Sequence, residues 1–128
     1  MSLRSPLRHA LGLGSAKSGS GHWYSQRASA VAVTVLGIWW LAALLGLGSL
    51  DHRAVVRLLS QPASAVLCAL LVLASAYHAW LGLQVIIEDY VGDKVRRLAA
   101  LVLTKSVLIV EAFAGVLAVV RIAVGAGP

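Results

Sequence analysis

The run LLSQPASAVLCALLVLASAYHAWLGLQVII, from Leu58 to Ile87, contains no charged residue and decides the fold. Two further apolar runs flank it: Ala28–Leu50 has no charged residue, and Leu98–Val120 is interrupted only by Lys105 and Glu111. Each run reaches the roughly 20 residues that an α-helix needs to cross about 30 Å of hydrocarbon. Because lipid cannot hydrogen-bond the backbone, each run must be helical. The sequence therefore predicts an all-α integral membrane protein with three transmembrane helices.

The composition agrees with a membrane protein. The chain has 128 residues, of which 59% are hydrophobic and 12% are charged, and its mean hydropathy is +0.86. A soluble domain of this size would carry about twice that charged fraction. The apolar runs are also too long and too uniform for the strands of a membrane β-barrel, which alternate polar and apolar side chains over about ten residues.

The charged residues divide the chain into segments. The N-terminal arm is rich in Ser, Gly and basic residues and is expected to lie as a flexible strap at the membrane surface. It lacks the features of a cleaved secretory signal. The predicted segments are the arm at 1–27, spans at 28–50, 63–89 and 98–122, an outer connection at 51–62, a cytoplasmic connection at 90–97 and an outer tail at 123–128.

Basic residues beside the span ends predict the orientation, because Lys and Arg concentrate on the cytoplasmic side. Seven of them flank the inner side, namely Arg4, Arg8, Lys17, Arg27, Lys94, Arg96 and Arg97. Three flank the outer side, namely Arg53, Arg57 and Arg121. The N-terminus is therefore predicted to be cytoplasmic and the C-terminus to face outward. The net charge of +6 reflects this topology, and nucleic-acid binding is not indicated because the basic residues form no single stripe.

His78 is a polar residue of the second span that lies deep in the hydrocarbon. On a helix it shares one face with Ala74, Ser75, Gly82, Val85 and Asp89, so small side chains lie one turn on either side of it. This pattern leaves room beside the imidazole for a large flat group such as a porphyrin, and an intramembrane His is a good axial ligand for haem iron. A hydrogen bond to a neighbouring helix and close helix packing would also explain the pattern. Proton relay is a further alternative.

Asp89 and Tyr90 lie at the cytoplasmic end of the second span, about 16 Å along the helix axis from His78. A phenol that donates a hydrogen bond and a carboxylate that relays protons would together suit the reduction of a quinone. Both residues are also ordinary at a span end. Arg27, just before the first span, either anchors the span or meets an anionic group such as a haem propionate.

The third span carries two charged residues. Lys105 is expected to extend its side chain to the inner interface, whereas Glu111 lies near the centre and is expected to be protonated or paired inside a bundle. Thr104, Glu111 and Gly115 share a face that suits a helix–helix contact. Cys68, the single cysteine, is expected to be a small buried apolar residue.

Two segments resemble a known family. His78-Ala-Trp-Leu-Gly82-Leu-Gln-Val-Ile-Ile-Glu-Asp89-Tyr90 is similar to the second-span signature of the hydrophobic membrane anchor subunit of succinate dehydrogenase, the smaller anchor of respiratory complex II. In that family a His is followed by Gly four positions later and by Asp-Tyr eleven positions later. The arm segment GHWYSQRASA, at 21–30, resembles the segment that precedes the family's first span. The resemblance covers nearly the whole chain.

The resemblance implies a function. Such an anchor pairs with a second three-helix anchor, the cytochrome b556 subunit, and shares one haem b with it. The pair binds an iron–sulfur subunit and a flavoprotein subunit and contributes to a ubiquinone-reduction site. His78 would be the axial ligand of the haem iron, Tyr90 would hydrogen-bond a quinone carbonyl, Asp89 would lie in the proton path, and Arg27 would lie near the haem propionates or the quinone.

The remaining histidines bear on the haem. His9 and His22 lie in the arm and His52 lies in the outer connection, so only His78 is at membrane depth. Cys68 is on the same span and cannot reach the opposite face of the ring. A haem with two axial ligands would therefore need the second ligand from another chain.

The expected role is thus that of an anchor subunit without the catalytic core, in the succinate:ubiquinone oxidoreductase of the respiratory chain and tricarboxylic acid cycle. The expected location is the bacterial cytoplasmic (inner) membrane, with the mitochondrial inner membrane as the alternative. Two other functions stay open. One is the anchor of a menaquinone-linked fumarate reductase, and the other is a small membrane scaffold or transporter subunit without a cofactor.

Overall fold

A computed structural model describes residues 19–125. Within this range the chain forms four helices and no strand, and the helices are α1 (Gly19–Leu45), α2 (His52–Leu59), α3 (Pro62–Tyr90) and α4 (Lys94–Ala123). Of these, α1, α3 and α4 are long and apolar enough to cross a membrane. The predicted fold class, an all-α membrane protein with three spans, is confirmed.

The central helix of the bundle is α3. It packs extensively against α1 and against α4, whereas α1 and α4 have little contact with each other. A small apolar core is formed where α2 meets the beginning of α3 and the end of α4, and it contains Leu59, Ala65, Cys68 and Val119. Cys68 is buried and free, as its sequence context indicated.

Local chemistry explains where α3 and α4 begin. Pro62 occupies the first turn of α3 and Gln61 before it is extended, because proline favours the first helical position and disfavours helical geometry in the residue before it. The turn after α3 is short. Asp93 caps α4, and its Oδ1 accepts a hydrogen bond from the backbone N–H of Arg96 at 2.8 Å.

The first helix differs from its predicted bounds. It begins at Gly19 and ends at Leu45, so the strap predicted for 1–27 is wrong for residues 19–27, and the span predicted to reach Leu50 ends earlier. Hydropathy reports which residues lie in hydrocarbon, whereas a helix can continue into the polar interface. The early end falls where glycines 46 and 48 weaken helix formation. Residues 1–18 of the predicted arm lie outside the described range.

The outer connection predicted at 51–62 contains the short amphipathic helix α2. Its Ala54 and Leu59 are buried, whereas Arg53 and Arg57 are exposed. Asp51 caps the helix, and its Oδ1 accepts a hydrogen bond from the backbone N–H of Ala54 at 2.7 Å. The twelve-residue connection was predicted from its charges alone, and charges do not reveal that apolar residues here share one face of a short helix.

The surface of the three long helices is largely apolar. Large side chains such as Val35, Ile38, Val110 and Phe113 are exposed. Such a surface is stable only when lipid or other membrane helices cover it. The structure contains no membrane, so the cytoplasmic position of the N-terminus stays a prediction, and residues 126–128 of the predicted outer tail lie outside the described range.

Candidate functional site

His78 lies on α3 and faces α1. It is twelve residues from Tyr90, the last residue of α3, and twelve residues of helix span about 18 Å. The imidazole is half-buried. The side chain therefore lies well away from the end of α3, and its depth in the hydrocarbon stays a prediction.

A hydrogen bond joins His78 to α1. The Oγ atom of Ser29 lies 3.0 Å from Nδ1 of the His78 ring. The same Ser29 hydroxyl donates a hydrogen bond to the backbone carbonyl oxygen of Gln26 at 3.0 Å. Ser29 is buried, with 6% of its surface exposed. One imidazole nitrogen is thus held by the protein and the other, Nε2, is left for a second partner.

Polar side chains of α1 line the same contact. His22, Gln26 and Ser29 follow one another at helical spacing on one face. A Cβ atom at Gly82 of α3 would lie 3.8 Å from Nε2 of Gln26. Nε2 of His22 and Oε1 of Gln26 are buried and have no hydrogen-bond partner within residues 19–125. The contact between the beginning of α1 and the second half of α3 therefore contains polar groups and is not purely apolar.

The small residues around His78 face two different helices. Gly82 faces α1, as just described, whereas Ser75 lines a groove of about 320 Å³ between α3 and α4 together with Ala79, Glu111 and Ala112. The small side chains therefore allow neighbouring helices to approach α3 closely.

The two charged residues of α4 have different surroundings. Nζ of Lys105 lies 5.3 Å from the centre of the Trp80 ring, a cation–π distance. Lys105 is eleven residues into α4 and so about 16 Å from its start; the expectation that it extends to the inner interface stays a prediction. Glu111 is exposed and borders the groove with Ser75.

The residues expected to contact a quinone lie at the end of α3. Tyr90 is 83% exposed, and Asp89 beside it is exposed as well. Arg27 is exposed, and its guanidinium carbon lies 4.8 Å from the centre of the Trp23 ring. No hydrogen bond or ion pair in the part of the chain that the structure describes joins Arg27, Asp89 and Tyr90 to one another, and their roles stay predictions.

The three residues nevertheless lie towards one end of the bundle. The contacts of Gln26 with Gly82 and of Ser29 with His78 pair rising numbers on α1 with falling numbers on α3. The two helices are therefore antiparallel, and the beginning of α1 lies beside the end of α3.

The side chains that the structure describes do not form a conventional metal site. Residues 19–125 contain no group of three or more His, Cys, Asp or Glu residues that could hold a metal ion. A haem iron is different, because the porphyrin supplies four nitrogens and the protein supplies only the axial ligands. A half-buried His78 with Nδ1 engaged and Nε2 left for a ligand fits such a group.

No role was predicted for Ser29, although it lies within GHWYSQRASA, the segment at 21–30 that resembles the family. The signal that could have found it is the spacing of His22, Gln26 and Ser29 at i, i+4 and i+7. The arm was expected to lack helical structure up to residue 27, and without a helix across that boundary the three residues do not share a face.

Comparison with known proteins relates most of the chain to one group. The sequence matches the family model described as succinate dehydrogenase/fumarate reductase transmembrane subunit over residues 1–120. It is 35% identical over 112 residues to a protein of Rickettsia bellii named succinate dehydrogenase hydrophobic membrane anchor subunit, which covers 86% of this chain and 90% of the relative.

Two further relatives carry the same name. The protein of Rickettsia felis is 34% identical over 101 residues, which covers 79% of this chain and 84% of the relative. The protein of Paracoccus denitrificans is 31% identical over 94 residues, which covers 73% of each chain.

Proposed function

The chain belongs to the family of succinate dehydrogenase/fumarate reductase transmembrane subunits, and on this basis we propose that it anchors a succinate dehydrogenase in a bacterial cytoplasmic membrane. One observation carries the proposal: the likeness to a named anchor subunit reaches 35% identity over 86% of the chain. The relatives named above are succinate dehydrogenase subunits, which favours succinate oxidation over fumarate reduction. The proposed partners are a flavoprotein subunit, an iron–sulfur subunit and the cytochrome b556 anchor.

The proposed haem ligand is His78. Its half-buried position and the hydrogen bond between Nδ1 and Ser29 support this role, because a ligating imidazole usually has its second nitrogen held by the protein. When bound, haem b would supply one-electron redox chemistry inside the membrane. This chain would hold the iron from one side through Nε2 of His78 and would contribute Arg27 near the propionates.

The haem is proposed to be shared between two chains. Of the histidines that the structure describes, His22 lies in the first turns of α1 and His52 begins α2, so neither lies at the depth of His78. A second axial ligand would therefore come from the partner anchor. The apolar outer surface of the long helices is suited to contact with such a partner.

The proposed quinone contacts are Tyr90 and Asp89. The 83% exposure of Tyr90 leaves its hydroxyl free to donate a hydrogen bond to a carbonyl of ubiquinone, and the Asp89 carboxylate beside it could exchange protons with water. Docking of the iron–sulfur subunit at this end of the bundle would cover both residues. That burial would strengthen the hydrogen bond by removing competing water.

Co-purification tests the anchor role. The chain carrying a C-terminal affinity tag is expressed in its native host, and the membranes are dissolved in a mild detergent. We expect the flavoprotein and iron–sulfur subunits to be recovered with it, together with succinate oxidation by a soluble dye. Recovery of the tagged chain without either subunit, under conditions that preserve succinate dehydrogenase activity in the membrane, would reject the proposal.

A further inference from the structure

Ser29 makes two hydrogen bonds whose directions are linked. Its Oγ lies 3.0 Å from the carbonyl oxygen of Gln26 and 3.0 Å from Nδ1 of His78. A hydroxyl has one proton to donate and two lone pairs that accept. A carbonyl oxygen can only accept, so the bond to Gln26 uses the single proton of Ser29.

The tautomer of His78 follows from the single proton that Ser29 can donate. With its proton directed at Gln26, the Ser29 oxygen can only accept from the imidazole. Nδ1 of His78 must then carry the ring proton, and in a neutral imidazole the other nitrogen, Nε2, is left with a free lone pair. This is the form of histidine that can bind a metal through Nε2.

We propose that Ser29 is a positioning residue that holds His78 in the Nδ1–H form and fixes the plane of its ring, so that Nε2 presents its lone pair to the haem iron. The inference rests on the proposed role of His78 as haem ligand. Ser29 is itself fixed, because it is 6% exposed and its hydroxyl is bound to the backbone of its own helix. The bond also connects α1 to α3 across 49 positions of sequence.

The proposal predicts a shift in redox properties. A hydrogen bond from Nδ1–H to an acceptor makes the imidazole a stronger electron donor and stabilises ferric iron. Ser29→Ala removes the acceptor, so the haem midpoint potential should rise. If the ratio of ferric to ferrous affinity falls tenfold, the rise is about 59 mV for a one-electron couple. The electron paramagnetic resonance spectrum of the ferric haem should broaden, because the ring plane is no longer fixed.

The chain offers a matched control. Thr34 lies on the same helix, is exposed, and donates the same kind of bond, from its Oγ1 to the carbonyl oxygen of Ala30 at 2.8 Å. Thr34→Ala removes a hydroxyl and a backbone bond without touching His78, and it should leave the potential and the spectrum unchanged. Ser29→Thr retains a hydroxyl and should stay close to the unaltered complex.

The experiment is a redox titration of the haem absorption band in the purified complex, with paramagnetic resonance of the oxidised sample. A raised potential in Ser29→Ala, with Thr34→Ala unchanged, supports the proposal. An unchanged potential and resonance spectrum in Ser29→Ala overturns it, as does an equal shift in Thr34→Ala. If the Ala variant does not assemble, Ser29→Cys retains the volume with a weaker acceptor and should shift in the same direction, and an unchanged potential there overturns the proposal.

Failure of the underlying assignment has a different signature. If His78→Ala leaves the haem spectrum of the complex unaltered, His78 is not the ligand and the proposed function of that residue fails. If His78→Ala alters the spectrum and Ser29→Ala does not alter potential or resonance, only the positioning role of Ser29 fails.

Discussion

Gly115 of α4 lies directly against Val72 of α3. A Cβ atom at Gly115 would be 2.9 Å from Cγ1 of Val72, a distance shorter than carbon atoms tolerate. The face of the third span predicted to suit a helix–helix contact, which includes Gly115, does meet a neighbouring helix. Close approach of this kind is a main source of stability in a membrane bundle, where water does not drive helices together.

Gly115→Ala should therefore destabilise the bundle. The added methyl group forces Val72 or the helix to move, at a cost of about 1–3 kcal/mol, which outweighs a gain in helix propensity of about 1 kcal/mol or less. Gly37→Ala is the control, because a Cβ atom at Gly37 would meet nothing within 4 Å. Thermal unfolding in detergent measures the difference, and equal midpoints for the two variants would contradict close packing at Gly115.

The three spans were predictable because each is long and nearly free of charge, and an α-helix is the structure that satisfies the backbone hydrogen bonds of such a segment in lipid. The bounds of α3, predicted at 63–89 and found at Pro62–Tyr90, were nearly correct because charged residues or a proline lie at both ends. The start of α1 was missed by nine residues, since Ser, Gly and His residues at an interface can be helical without being apolar. The Ser29–His78 pair depends on how two helices that are far apart in sequence pack together, which a single sequence does not reveal.

The orientation can be tested directly. The asymmetry of basic residues predicts a cytoplasmic N-terminus and an exported C-terminus. Alkaline phosphatase fused after Gly127, a position beyond the described residues, should be active, because it folds only outside the cytoplasm. The same enzyme inserted at Gly92, between α3 and α4, should be inactive. The reverse pattern would invert the topology.

Tyr90→Phe tests the quinone contact. The substitution retains the ring and removes the hydroxyl, and leaving a quinone carbonyl unpaired should cost about 1–3 kcal/mol. Quinone reduction should fall while succinate oxidation by a soluble dye persists. Tyr77→Phe makes the same change on the same helix at a half-exposed position and should have no effect. Unchanged quinone reduction in Tyr90→Phe would remove Tyr90 from the site.

The cap of α2 should be sensitive to acid. The backbone N–H of Ala54, and next the Ser49 side chain, donate hydrogen bonds to Asp51 and lower the pKa of its carboxyl group. A lowered folded-state pKa contributes stability that is complete above the ordinary pKa of an aspartate and is lost as the pH falls through the lowered value. The protection of the α2 amides against hydrogen exchange, measured relative to the intrinsic exchange rate at each pH, should therefore fall in strong acid.

Asp51→Asn separates the cap from its charge. Asparagine caps a helix about as well as aspartate and does not titrate. The protection of α2 in this variant, again relative to the intrinsic exchange rate, should not fall in acid. The same acid dependence in both proteins would show that another group controls the end of this helix.

The central claim is that His78 holds one side of a haem shared with a second chain, and an absorption spectrum tests it most directly. The chain is expressed alone and together with its partner anchor, each with His78 intact or replaced by Ala, and His52→Ala, at the exposed start of α2, serves as the control. We expect a bis-histidine haem spectrum only when both chains are present, its loss or alteration in His78→Ala, and no change in His52→Ala. A full bis-histidine spectrum from the monomeric chain alone, or an unaltered one from His78→Ala, would contradict the claim.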